Sequence, residues 1–69
     1  GPSKKVLRVE VANAAGKQVV IRVLGVRTST SGVVASNASK TFNLSVPAGT
    51  YKVRVTIGHS VFTKTQVVK

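Results

Sequence analysis

Pro47, Ala48 and Gly49 separate two runs in which apolar and polar residues alternate one for one. Upstream, Phe42, Leu44 and Val46 oppose Thr41, Asn43 and Ser45. Downstream, Tyr51, Val53 and Val55 oppose Thr50, Lys52, Arg54 and Thr56. A repeat of two residues is that of a β-strand with one dry and one wet face, and a helix cannot satisfy it. Proline fixes its own φ and glycine tolerates the left-handed region. The three residues between the runs therefore predict a tight hairpin turn with Gly49 at positive φ.

The rest of the chain reads the same way. Val and Thr dominate, and no segment carries a useful helical period. Val6–Ala12 predicts a first strand, with Leu7, Val9 and Val11 on one face and Arg8 and Glu10 on the other. Asn13–Lys17 turns the chain, with Gly16 as the positive-φ residue. Residues 18–26 are apolar on nearly both faces except at Arg22, the pattern of a central strand. The Ser- and Thr-rich stretch 27–40 predicts a mobile loop holding a short edge strand over 32–35. Strands over 41–46 and 50–57 follow, then a turn at 58–60 and a last strand over 61–69. Turn signals every eight to twelve residues or so indicate an all-β fold. The expected architecture is a small antiparallel β-sandwich of five to seven short strands, in which two sheets cover each other's apolar faces.

At 69 residues the chain is one domain with a thin core and no cysteine to staple it. Gly1–Ser3 look like the remnant of a cleaved affinity tag, which leaves residues 4–69 as one module expected to come from a larger protein.

"VEVANAAGKQVVIRV", the Ser/Thr-rich loop and "FNLSVPAGTYKVRVTIG" together resemble the prealbumin-like modules of bacterial and archaeal surface proteins, among them the carboxypeptidase regulatory-like, collagen-adhesin B-type and PEGA groups. The resemblance covers most of residues 6–69, and its motif is mainly structural. It implies an Ig-like sandwich in which the Tyr51 ring caps the core beside the turn and Gly58 begins the next hairpin. It also implies an extracellular or cell-surface setting, with the parent chain or neighbouring repeats as partners. The family's acidic residues are missing here, and His59 stands where it often has an aromatic residue. Its adhesin members can form a Lys-to-Asn or Lys-to-Asp crosslink assisted by a buried carboxylic acid. Lys4, Lys5 and Glu10 are present, but the last strand offers neither Asn nor Asp, so no crosslink is expected.

The inventory argues against catalysis. Acid–base work needs paired or tuned titratable groups, and the chain has one carboxylate side chain, Glu10, and one imidazole, His59. The same shortage leaves no set of metal ligands, and no cofactor or small-molecule substrate is expected. Glu10 is expected to pair with Arg8 or a cross-strand cation, and His59 to be an exposed turn residue. Asn37 and Asn43 both sit in N-glycosylation acceptor patterns, which arise often by chance in such composition.

The basic residues hold the functional question. Eleven Lys and Arg against one acidic residue give a formal charge of +10, an imbalance that attracts polyanions. Arg8, Arg22, Lys52, Arg54 and Lys64 are expected to project from sheet faces as a basic surface. Lys52 and Arg54 would lie roughly 7 Å apart along one strand, near the phosphate spacing of an extended polyanion. Of the three aromatics, two read as core and none as a stacking platform for bases. Two roles follow from the sequence: a non-catalytic structural spacer or adhesive accessory module, and a sequence-blind binder of nucleic acid, acidic glycan or cell-wall polymer.

Overall fold

The computed structural model describes residues 4–12, 14–34 and 39–69. It contains six strands in chain order: β1 (Lys4–Val11), β2 (Gln18–Val23), β3 (Ser29–Val33), β4 (Lys40–Pro47), β5 (Gly49–Ile57) and β6 (Ser60–Val68). Every strand pairing is antiparallel. β1 and β4 form a two-stranded sheet, and the other strands form a four-stranded sheet in the order β3-β2-β5-β6. The two sheets pack as a small β-sandwich.

Alternation sets what lies between them. Leu7, Val9 and Val11 of β1 and Phe42, Leu44 and Val46 of β4 point inward. They meet Val19, Ile21 and Val23 of β2 and Val53 and Val55 of β5, and all of these are buried. Burying each such side chain contributes about 1.5–3 kcal/mol, so ten or so valines, leucines and aromatics substitute for the missing disulfides. β2 is central, as its two-sided apolar pattern predicted, with β3 and β5 as neighbours.

Most strand ends fall within two residues of the expected ones, and three readings are corrected, each for a physical reason. β2 ends at Val23 rather than 26, because Gly25 adopts φ 85° and turns the chain back. The edge strand within the Ser/Thr-rich stretch begins at Ser29 rather than 32 and spans Ser29–Val33, and Ala35 of the expected strand lies outside the described residues. Pairing with β2 rather than propensity makes it a strand, from Gln18 opposite Val33 to Arg22 opposite Ser29. Val34 then forms an isolated parallel bridge with Ala15 and is fully buried, with its carbonyl accepting the Gly16 amide at 2.8 Å. Gly16 has the expected positive φ, at 73°.

The third correction concerns Pro47–Gly49. β4 and β5 belong to different sheets, so the chain does not fold into a hairpin there. It turns a corner from one sheet to the other with Ala48 alone between the strands. Sandwich corners of this kind bend extended chain and do not need a left-handed residue. Gly49 accordingly is not among the glycines at positive φ; a side chain there would instead meet the Tyr51 hydroxyl at 3.3 Å. That hydroxyl donates to the Pro47 carbonyl at 2.6 Å and ties the corner shut, while the ring packs against the core. Tyr51→Phe is expected to lower stability by about 1 kcal/mol in urea denaturation, the net worth of one such bond.

The true hairpins are β2–β3 and β5–β6. In the second, Ile57 faces Ser60 across a two-residue loop whose first member, Gly58, has φ 58°. Both ends of the described chain lie at the Pro47–Gly49 corner, since Lys4 pairs with Pro47 and Val68 with Gly49.

Candidate functional site

Residues directly opposite in an antiparallel ladder share a face, so the register sorts the cations. On the outer face of the four-stranded sheet, Arg22 of β2 stands opposite Arg54 of β5. Arg22 also faces Ser29 of β3, and Arg54 faces Thr63 of β6. One row therefore crosses all four strands in the order Ser29, Arg22, Arg54, Thr63. With strands ~4.8 Å apart, that row is roughly 14 Å wide. Lys52, two residues before Arg54 on the same face, pairs with Thr65 in the next row.

Directly opposed like charges destabilise a sheet, and here nothing neutralises them. The chain's one acidic side chain, Glu10, lies on β1 in the other sheet. Among the described residues no ion pair is formed, so the expected bond between Glu10 and Arg8 or a cross-strand cation is absent: Glu10 is exposed and opposite Thr41. An exposed Glu10 also provides no buried carboxylic acid beside Lys4 or Lys5, both of which are exposed in β1.

The five cations expected to form one face occupy three surfaces. Arg22, Lys52 and Arg54 share the outer face of the four-stranded sheet. Arg8 is on β1, opposite Asn43 and exposed, on the far side of the sandwich. Lys64 is opposite Val53, a core residue, and so belongs to the inner side of β6. Arg27, the first residue of the Ser/Thr-rich stretch, joins the basic face. The tight β2–β3 turn folds it back toward Arg22, and the two line an open notch of about 400 Å³ with Val26, Thr28 and Ser29. The sequence signal for this was Gly25, which shortens β2 and places Arg27 across the turn. Lys40 is engaged elsewhere, its Nζ 5.5 Å from the centre of the Phe42 ring.

His59 is exposed in the β5–β6 loop. Asn43 is exposed on β4, and Asn37 lies outside the described residues. Among the described residues no group of three or more His, Cys, Asp or Glu converges. Phe42 is buried and Tyr51 partly so, and Phe62, the third aromatic, is 56% exposed.

The fold thus defines a class, the small all-β sandwich domains, with an uncompensated basic row across one sheet. Comparison with protein-family models, with curated proteins and with solved structures finds no match. Geometry and charge are what point to a role.

Proposed function

We propose that the domain is a non-catalytic β-sandwich module of a larger protein that holds polyanions, without reading their sequence, on the outer face of its four-stranded sheet. The observation that carries this reading is the Arg22–Arg54 pair, two guanidinium-bearing residues opposed across a ladder with no carboxylate on their face. Such a pair costs stability unless an anion sits over it, and guanidinium groups bind phosphate in bidentate fashion. Lys52 and Arg27 both extend the positive surface toward the β2–β3 turn, where the Leu24 amide donates to the Lys52 carbonyl, and the hydroxyls of Ser29, Thr63 and Thr65 add neutral donors along it.

The face offers no aromatic ring near the cations on which bases could stack, so the reading is of backbone contact rather than base recognition. The resemblance to prealbumin-like surface modules supports an accessory role in a cell-surface or secreted parent, where acidic glycans and cell-wall polymers are the accessible anions. Titration with duplex DNA of unrelated sequences tests the binding itself. Four contacted phosphates predict a log–log salt dependence with a slope of about −3.5 and near-equal affinities for all duplexes. A flat salt dependence, or strong preference for one sequence, would sink the proposal.

A further inference from the structure

The two-stranded sheet is too narrow to cover the four-stranded one. Val19, Ile21, Val23 and Val53, facing inward from β2 and β5, are fully buried. Phe62, opposite Val55 and thus on the inner side of β6, is left largely in water. Beside it runs an open groove of about 300 Å³ between β6 and β1, whose lining includes Val9, Glu10, Val11, Ile57, Phe62 and Lys64.

The wall on the β1 side is an unpaired strand edge. β1 pairs with β4 alone. The carbonyl of Arg8 lies on its other edge, because it accepts a bond from Gln66 Nε2 of β6 at 2.9 Å. Backbone groups alternate along a strand, so Val6 and Glu10 present their amides and carbonyls to the same side. Gln66 Oε1 is buried and has no hydrogen-bond partner. One side-chain amide therefore does for a single carbonyl what a neighbouring strand would do for the whole edge, and its own oxygen stays unsatisfied.

We infer that this groove accepts an extended segment of a partner protein, added beside β1 as a third strand, in which apolar and acidic residues alternate. Backbone pairing to β1 would supply affinity, and the side chains would supply selection. Inward residues of the added strand fall over Phe62 and Ile57 and extend the core. Outward residues fall beside Arg8 and Glu10, whose charges offset each other, so selection for carboxylates comes from Lys64 at the border of the groove and from the formal charge of +10 on the whole domain. Charge decides against a second copy as occupant. Each copy has a formal charge of +10 and one acidic side chain, so self-pairing would bring two large positive charges together. The site is separate from the basic row, which lies on the outer face of the four-stranded sheet.

The probe is a synthetic peptide of eight residues, the length of β1, alternating leucine or valine with glutamate. It is titrated into isotopically labelled protein and followed by NMR. Binding should protect the amides of Val6, Arg8 and Glu10 from exchange and shift the side-chain amide signals of Gln66 as it leaves the Arg8 carbonyl. Phe62→Ala should weaken binding at least fivefold while the melting temperature moves by less than about 4 °C, because the ring is mostly in solvent. A peptide of identical composition with its apolar and acidic halves segregated should bind at least tenfold more weakly. Equal binding of the two peptides, shifts confined to the Arg22–Arg54 face, or no binding at millimolar peptide would overturn the proposal. So would protection of these amides by protein concentration alone, which would make a second copy the occupant.

Discussion

Leu7→Ala is expected to leave the domain at the edge of unfolding, while Val6→Ala, one residue earlier on the same strand, is expected to change almost nothing. Leu7 is fully buried between the sheets, whereas Val6 is 60% exposed on the outer side of β1. Truncating a buried leucine removes its transfer energy and leaves a hole that a thin sandwich cannot collapse into, at about 2–5 kcal/mol. A domain of this length has in total only about 3–10 kcal/mol, at roughly 0.05–0.15 kcal/mol per residue. The cost is therefore a large share of the whole. Val53→Ala should likewise cost more than Thr56→Ala, since Val53 is fully buried and Thr56 faces outward beside Val20. Denaturation midpoints followed by circular dichroism measure all four. Similar losses from Leu7→Ala and Val6→Ala would show that β1 does not turn its Leu7 face toward the larger sheet.

The second large effect is on binding. Replacing Arg22 and Arg54 together by glutamine should lower the salt slope for duplex DNA by nearly 2, at about 0.9 for each phosphate left without its cation. At 50 mM salt that corresponds to a loss of affinity on the order of a hundredfold. The control is the double replacement of Arg8 and Lys64 by glutamine. It removes the same two charges, but from the far side of the sandwich and the inner side of β6. Under the proposed reading, its slope stays close to that of the parent. Equal losses from the two variants would mean that the protein attracts DNA by net charge alone. Because all four positions are exposed, neither variant is expected to perturb the fold by more than about 1 kcal/mol.

Local pattern carries the strands and their buried faces, because alternation is written residue by residue. Leu7, Val9 and Val11 declare an inward face without knowledge of their neighbours, and so do Phe42, Leu44 and Val46. Pairing is not local, and there the sequence is silent. Nothing near Lys64 says that its cross-strand partner is the core residue Val53, nor that Arg8 belongs to the opposite sheet. The same limit makes the corner at Pro47–Gly49 look like a hairpin: "VPAG" between two alternating runs fits either, and only the sheet assignment separates them. The exposure of Phe62 escapes local pattern too. It depends on how far β1 and β4 reach across β6, a property of sheet width rather than of any residue in β6.

The meeting of Lys4 and Val68 at the Pro47–Gly49 corner bears on how such a unit can be mounted. The sandwich is 39 Å long and about 17 to 18 Å across. A polypeptide that enters at Lys4 and departs at Val68 comes back to the end from which it set out. Copies strung in series would each hang from the thread like a tag on a cord, adding little to the end-to-end reach of the string. The same geometry lets the unit be spliced into an exposed bend of a host without prying the host's own strands apart. Its long sides, with the basic row on one of them, would then stand clear of the attachment and face outward into the surroundings.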